Sequence, residues 1–307
     1  MREVPQKQLS IVQRAGYALD SFIGFFSPAS GLRRSVARTK TYAFSSYRGT
    51  LTDRRRSACS VGSGSPDADL LPNLESLRSK SRDLERNNPH ARGALETHVV
   101  NVIGRGLTPQ ANIDYEALGI SQEDARTIGK IMDKAFERWA PYADTGGRMH
   151  FDEIQRLSLH QVWLNGESVS QFPMIQKSDD PLRPYELSVE IVEAGRLETP
   201  RQFLSDRFVR EGVRLGDRGQ AIQFYIRRDH PGDQPRPGAR QDEYYSPTSH
   251  NEFGRPNVIH LYQVRRPGQT RAEPLLAPVI DTFLQLARLQ DARITRAQVS
   301  AMFALVI

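Results

Sequence analysis

The last fifty residues constrain the fold most, because they place a strand, a forced turn and a long unbroken helix in succession. The apolar run Val258–Tyr262 has the length and composition of a strand. In the basic turn that follows, Pro267 presets φ at the second position and Gly268 accepts a positive φ at the third. A helix is predicted from Leu275, because Pro278 still lies in its first turn, where the missing N–H does no harm. Apolar residues then keep helical spacing without a breaker.

Four helices are predicted between residues 67 and 164. Asn88 is suited to cap the second, with Pro89 as its first residue, and Ser121 opens the third with a capping-box-like pattern. The predicted stops of the four helices are Asn87, then Gly104 with Gly106, then Pro141, then Asn165-Gly166. The residues predicted to be buried are Leu70, Leu74, Leu77 and Leu84; Leu95, Val99, Val102 and Ile103; Ala125, Ile128, Met132, Phe136 and Trp139; and Ile154, Leu157 and Val162.

Strands are predicted after these helices. Ser168–Ile175 is assigned to an edge strand because it contains Pro173, and Tyr185–Ile191 alternates like a half-buried strand. Residues 213–226 have the pattern of a β-hairpin, and the segment 229–250, rich in Pro, Gly and charge, is predicted to be a long surface loop. The predicted fold is therefore α+β, with a helical first half, a mostly antiparallel sheet and then the long helix.

The positive charge of the chain lies at its beginning. The net charge is +6, yet residues 1–60 alone hold 11 Lys/Arg against 3 Asp/Glu, which is a surplus of 8. Such a basic segment, interleaved with aromatic residues, is typical of contacts to nucleic acid or an acidic protein face. A solvated tail, or a helix or coil whose aromatic residues pack on the body, explains it equally well. The candidate contacts to nucleic acid or capsid are Arg33, Arg34, Arg38, Lys40, Arg54, Arg55 and Arg56.

These patterns suggest three regions. We expect a basic, loosely ordered arm with a Gly/Ser linker over residues 1–66, an α+β body over 67–274 and a long helix over 275–307. No stretch reaches the roughly 18 apolar residues that a membrane span needs. The single cysteine, Cys59, excludes an intrachain disulfide and a multi-cysteine metal site within these residues, which favours synthesis inside the cell.

Catalytic motifs are not found in the sequence. The stretch Gly166–Ser170 begins like a nucleophile elbow but ends in serine and precedes its strand, whereas an elbow follows one. Gly129-Lys130 lacks the glycine spacing of a phosphate-binding loop, and no histidines stand at i, i+4. No cofactor and no metal ligands are therefore predicted. Because many Asp and Glu are present, a two-metal nuclease remains open at this level.

Several short motifs follow one another in a recognisable order. These are Gly64–Asp69, Leu77-Arg78, Ser81–Leu84, Arg86–Pro89, Asn101–Leu107, Asn165–Glu167, Glu193–Leu197, His230-Pro231 and the Pro267-Gly268-Gln269 turn. Together they resemble the portal proteins of lambda-type tailed bacteriophages, although Ala272 stands where that family is expected to have glycine. Taken alone, Arg82 and Arg86 fit a solvated, ion-paired helix surface. The structural motif positions are Arg82, Asp83, Arg86, Asn87, Asn88, Pro89, Gly104, Gly106, Pro267, Gly268, Gln269 and Arg271.

The resemblance implies a structural role and no enzymatic activity. It implies a ring of twelve copies at one capsid vertex, through which double-stranded DNA is packaged and ejected, and a location in the virion, with assembly in the host cytoplasm. It also implies terminase, capsid or scaffold, and tail-adaptor proteins as partners, with ATP hydrolysed by the terminase. The alternatives are a metal-dependent nuclease and a nonspecific DNA-binding module.

The resemblance further implies that the chain is truncated. Lambda-type portals continue into the rest of the stem, a clip and a crown, whereas this sequence stops on the apolar residues Ala304–Ile307 within a predicted helix. An apolar helix end without its partners promotes ill-defined association. We therefore expect the isolated chain to be monomeric or heterogeneously aggregated.

Overall fold

The computed structural model describes residues 64–233 and 243–304. The seven basic residues predicted to contact nucleic acid or capsid lie outside these ranges, and so does the middle of the predicted long loop. The chain divides into two compact units, Met1–Gly64 and Ser65–Ile307. The fold described below belongs to the second unit.

The helices and strands of this unit follow the predicted order, helices first. The α-helices are α1 (Pro66–Leu70), α2 (Leu74–Asn87), α3 (Pro89–Val102), α4 (Tyr115–Leu118), α5 (Gln122–Trp139), α6 (Phe151–Asn165) and α7 (Ile280–Ala304). The strands are β1 (Glu167–Gln171), β2 (Glu190–Val192), β3 (Val209–Arg210), β4 (Val213–Leu215), β5 (Ala221–Phe224), β6 (Ile226–Arg227), β7 (Tyr244–Tyr245) and β8 (Val258–Tyr262). Short 3-10 turns lie at Leu71–Asn73, Ala140–Tyr142, Ala194–Arg196, Arg201–Phe203 and Ala277–Val279.

Local sequence signals determine where several helices begin and end. The Asn88 side chain accepts hydrogen bonds of 3.0 and 3.1 Å from two N–H groups in the first turn of α3, as the N-cap prediction requires. Ser121 caps α5 by accepting from the N–H of Asp124 at 3.1 Å. Helix α6 ends at Gly166, whose φ of 90° is in the left-handed region that favours glycine. These three predictions are confirmed.

The helical layer packs through leucine-rich faces. Helices α2, α3 and α6 contact one another, and α6 also lies on β1. The four leucines predicted to be buried near the start of the unit are all buried, which confirms that face. Each fully buried leucine contributes on the order of 1.5–3 kcal/mol to stability. This layer therefore forms a stable support beneath β1.

The strands form three small antiparallel sheets, with the orders β2-β1-β8, β3-β4-β5 and β6-β7. The α+β class is thus confirmed, and so are the predicted strand at 258–262 and the predicted hairpin. One apolar cluster joins the first sheet to the hairpin. Its buried members are Val169, Val192, Leu197, Val213, Phe224, Ile226 and Val258.

Four secondary-structure predictions need correction. The strand that begins near Ser168 is the central strand of its sheet, because β1 ends at Gln171, before Pro173 can interrupt a ladder. The segment 229–250 contains β7 and is therefore not entirely loop. The half-buried strand predicted over 185–191 is shorter, since β2 begins at Glu190. Helix α7 begins at Ile280 after a 3-10 turn, five residues later than predicted.

Some predicted core positions face solvent. Val102 is 53% exposed in α3, and Ile128 and Met132 are 41% and 53% exposed in α5. Leu157 and Val162 are only half-buried. An apolar stripe at helical spacing identifies one face of a helix but does not show whether the same chain covers that face. Helix α7 illustrates this, since Ile280 is buried and every residue from 288 to 302 is exposed.

Candidate functional site

The first residue of β1 carries a completely buried carboxylate. Helix α6 stops at Gly166, so the chain enters β1 at once and Glu167 lies on the same inward face as Val169. Close packing requires glycine at this junction between α6 and β1, because a Cβ at position 166 would lie 2.2 Å from the carbonyl oxygen of Ala272. Glu167 has 0% exposure. A carboxylate at this depth is stable only with cationic partners.

Three basic side chains surround Glu167. Arg78 of α2 donates from Nη2 to Glu167 Oε1 at 2.5 Å. Arg271 donates from Nε to Oε1 and Oε2 at 2.7 and 2.9 Å, and its Nη2 also bonds to Oε1. His260 of β8 places Nε2 3.0 Å from Oε2. We call these four residues the buried charge cluster.

Arg271 also joins distant backbone segments. Its Nη2 donates to the carbonyl of Ala194 at 3.0 Å, and its Nη1 donates to the carbonyls of Leu197, at 3.1 Å, and Glu211. Arg78 adds bonds from Nε to Asn165 O at 2.9 Å and from Nη1 to Ala194 O at 3.4 Å. The planar guanidinium fork suits such multiple bonding. The cluster therefore ties α2, the end of α6, β1 and the turn between β3 and β4 to one another.

The ionisation states follow from these neighbours. Burial acts against the charged form of Glu167, but Arg271, Arg78 and His260 outweigh it and hold the pKa of that carboxyl well below its usual range. Burial lowers the pKa of the Arg78 guanidinium to about 10, with Glu167 opposing that shift. At neutral pH the cluster is therefore a carboxylate between two guanidinium cations, and Glu167 has no proton to exchange.

The predicted Pro-Gly-Gln turn positions Arg271. Gly268 has a φ of 81°, and the N–H of Gln269 bonds to the carbonyl of Arg266 at 3.3 Å, which confirms the turn prediction. The Gln269 side chain accepts from the N–H groups of Arg265 and Arg266 and donates to Arg271 O at 2.7 Å. Gln269 thus fixes both ends of the turn.

A buried aspartate connects the same turn to α1. Asp67 accepts from the N–H of Thr270 at 2.8 Å and from its hydroxyl at 2.6 Å. Arg210 of β3 donates to the same carboxylate at 2.7 Å. Asp67 and Thr270 are both at most 5% exposed. The motif that contains Asp67 and the turn motif, 203 residues apart, therefore meet in space.

The remaining motif positions lie on α2, α3 and the loop after α3. Arg82 donates from Nε to Asn165 Oδ1 at 2.7 Å and pairs with Glu193 at 2.8 Å, so it is half-buried and not a solvated surface residue. Asp83 accepts from Asn87 at 2.7 Å. Arg86 and Pro89 are exposed, and Asn88 is the cap described above. Gly104 and Gly106 have φ of 56° and 123°, as expected for residues that end α3.

The sequence places Arg78 and Glu167 within two of the short motifs and His260 within a predicted strand, but it does not assign a role to any of the three. A signal was present for Arg78, because it shares the buried face of α2 with Leu74, Leu77 and Ser81. A charge on an apolar stripe indicates a buried partner. For Glu167 and His260 the sequence offers only a polar residue within a strand pattern, and the partner cannot be read from spacing.

The described residues show no constellation of catalytic groups. Ser168 points to the face of β1 opposite Glu167, where its hydroxyl bonds to that of Ser158 at 3.0 Å, so His260 cannot activate it. In the described ranges, no three His, Cys, Asp or Glu side chains come together as a metal site. No helix in the same ranges is long and apolar enough to cross a bilayer. What the buried charge cluster does show is a set of hydrogen bonds that hold the backbone segments it joins in place.

Comparison with known proteins gives one consistent result. The family model described as "Phage portal protein, lambda family" matches residues 52–307. The chain is 28% identical over 253 residues to the portal protein of Escherichia phage N15, which covers 80% of this chain and 46% of that protein. It is 28% identical over 250 residues to portal protein B of Escherichia phage lambda, covering 80% and 45%. The probable portal protein of Halomonas phage phiHAP-1 is 25% identical over 213 residues, covering 67% and 38%.

Proposed function

The chain belongs to the lambda family of phage portal proteins, and we propose that it acts as a structural subunit of the portal at one capsid vertex of a tailed phage or prophage. It spans about half the length of the N15 and lambda relatives that it matches. The role of a complete portal protein is therefore proposed for this chain. Copies of the subunit form a ring, expected to contain twelve, and double-stranded DNA passes through the ring during packaging and ejection.

The family match over residues 52–307 is the observation that carries this proposal. The buried charge cluster supports it, because the family-like motifs around Arg271 and the Asn165–Glu167 segment meet there. A subunit of a ring through which DNA passes needs a body that keeps its shape. A buried, fully bonded polar network provides such rigidity and fixes one arrangement of the segments that it joins.

Exposed apolar residues on two helices support assembly. Helix α5 exposes Ile128, Ile131 and Met132 at i, i+3 and i+4, so they share one side of the helix. Helix α7 exposes Leu284, Leu289, Ile294, Val299 and Met302, which at 3.6 residues per turn are spread around the helix. Apolar surface of this kind marks contacts with other chains or other parts of a protein. We assign these exposed residues to contacts within the portal, and we expect terminase, capsid or scaffold, and tail-adaptor proteins to bind elsewhere on the assembled ring.

The proposal includes the absence of catalysis. The portal subunit guides DNA and leaves ATP hydrolysis to the packaging terminase, so purified protein should not cleave DNA. A metal-dependent nuclease is the alternative from the sequence. No observation on the described residues favours it, since their carboxylates are either paired with arginines or not grouped.

A chimeric subunit tests the proposal. In the chimera, the segment of the N15 portal protein that aligns with this chain over 253 residues is replaced by the matching residues of this chain. Electron microscopy should show closed rings with a central hole, as for the unmodified N15 protein prepared in parallel. A chimera that is folded by circular dichroism yet stays monomeric would contradict the proposed assembly. Mg²⁺-dependent nicking of plasmid by this chain, abolished by a single carboxylate substitution, would contradict the structural role.

A further inference from the structure

The strand β8 has an outer main-chain edge with which no other described strand pairs. It is the outer strand of the order β2-β1-β8. The N–H of Phe172 bonds to Asn257 O at 3.3 Å, whereas Pro173 O accepts from Ser188 on the β2 side at 3.0 Å. This phase means that alternate residues of β8 bond to β1 and that His260 and Tyr262 direct their N–H and C=O groups outward. Within the described ranges, these groups of His260 and Tyr262 form no hydrogen bond, whereas Val258, which also faces outward, donates its N–H to Ser249 O at 3.5 Å.

A cleft of about 520 Å³ lies beside this edge. We call the buried apolar part of its lining the floor; it includes Val213 and Phe224 of the hairpin and Val258 of β8. The cleft is also lined by the Gly268–Thr270 part of the turn and by the exposed Arg218 of the β4–β5 turn. The volume falls within the range of about 300–1,000 Å³ that is typical of binding sites. The cleft thus combines an unpaired strand edge with an apolar floor, which is how proteins bind extended peptides.

The charge of the lining indicates which peptide fits. The lining contains Arg210, Arg218, His250 and His260 and no Asp or Glu. Arg210 and His260 already contact the carboxylates of Asp67 and Glu167. Arg218 is exposed and forms no ion pair with another described residue. An incoming carboxylate therefore has one available guanidinium at the hairpin end of the cleft.

We propose that this cleft binds an extended, acidic segment of a partner protein, which adds as a strand to the outer edge of β8. Alternate side chains of that segment would cover the apolar floor, and an acidic residue would reach Arg218. A DNA backbone fits less well, because the strand edge alternates donors and acceptors and phosphates offer only acceptors. The basic segment of a second copy fits less well by charge, since residues 1–60 have a surplus of 8 positive charges.

Fluorescence polarisation with a defined peptide tests the proposal. The probe is fluorescein-labelled Glu-Val-Thr-Val-Glu amide, titrated with the full chain. We expect saturable binding that Arg218→Glu weakens at least tenfold and that Ala221→Trp, which fills the cleft, also weakens. Arg105→Glu is the matched control, because Arg105 is an exposed arginine outside the cleft lining, and it should leave affinity unchanged. A Lys-Val-Thr-Val-Lys probe should recover binding on the Arg218→Glu variant.

Peptide backbone chemistry separates strand addition from simple charge attraction. Methylating two alternate peptide nitrogens removes the donors that would face β8, and the affinity should fall at least tenfold. No saturable binding at millimolar peptide, or equal binding of the methylated peptide, would overturn the proposal. Displacement of the probe by a thymidine decanucleotide would assign the cleft to nucleic acid instead. If Ala221→Trp also lowered self-association in sedimentation equilibrium, the occupant would be a second copy.

Discussion

Removing the negative charge of Glu167 should destabilise the folded body severely. In Glu167→Gln the side chain keeps its shape, but the buried Arg78 and Arg271 lose their counter-charge and an amide NH₂ must face one of their donors. In the wild-type protein, the Glu167 carboxylate accepts hydrogen bonds from four nitrogen atoms, two of them on Arg271. Arg271 is 0% and Arg78 is 6% exposed, so water cannot replace the carboxylate.

The size of this effect follows from the cost of an unpaired buried charge. Removing one partner of a buried ion pair costs about 3–5 kcal/mol. For a unit of this size each kcal/mol shifts Tm by about 2–4 °C, so a decrease on the order of 10 °C is expected. The loss should exceed that of a surface pair several-fold, because exposed ion pairs contribute only about 0–1 kcal/mol.

Tryptophan fluorescence during urea unfolding measures this loss. Trp139 and Trp163 are the two tryptophans of the chain, and both lie in the unit that contains the cluster. Glu193→Gln is the matched control, because Glu193 also pairs with an arginine of α2 but its side chain is 40% exposed. Equal unfolding midpoints for the two variants would refute the view that the buried charge cluster organises the fold.

Three further outcomes are expected. The pKa of Glu167 is lowered in the folded state, so its stabilising contribution is complete above the unfolded value of about 4.3 and is lost as the pH falls through the folded value. The difference in unfolding free energy between wild type and Glu167→Gln should therefore shrink between pH 5 and pH 3 in urea titrations. In the same assay, Gly119→Ala should lower the unfolding free energy by about 1 kcal/mol, because Gly119 has a positive φ. Gly166→Ala should lower it clearly more, because Gly166 also has a positive φ and in addition lies against the backbone at Ala272. Deleting residues 1–60, which hold the surplus of 8 positive charges, should nearly abolish binding to double-stranded DNA at low salt and flatten its salt dependence. Equal binding by the shortened chain would assign that segment to a protein partner.

Features with local causes could be predicted from the sequence. The cap at Asn88, the helix stop at Gly166 and the turn at Gly268 each depend on residues within one helical turn or one β-turn, and all three occur as expected. The extent of a strand is less local. Pro173 suggested an edge strand, but β1 ends two residues before it and has neighbours on both sides.

The buried charge cluster could not be predicted, because its cause is not local. A chain in which 25% of residues are charged offers many possible pairs, and sequence spacing does not show which of them meet. The exposure of an apolar helix face cannot be predicted from the sequence either. The stripe of α5 was recognised, but Ile128 faces solvent because no described segment of this chain covers it. The spacing of apolar residues along a helix shows which of them share a face, whereas the burial of that face depends on the segments that pack against it.

The separation of the cluster members along the chain has a kinetic consequence. Glu167 meets Arg78 across 89 residues, His260 across 93 and Arg271 across 104. Each contact requires a long loop to close, which slows folding, and the two guanidinium groups and the His260 ring must lose water together with the carboxylate. We therefore expect the cluster to form late, after the helices and the hairpin. Contacts that form after the transition state slow unfolding more than they speed folding. Once formed, the body should open on a much longer timescale than its modest apolar core alone would give.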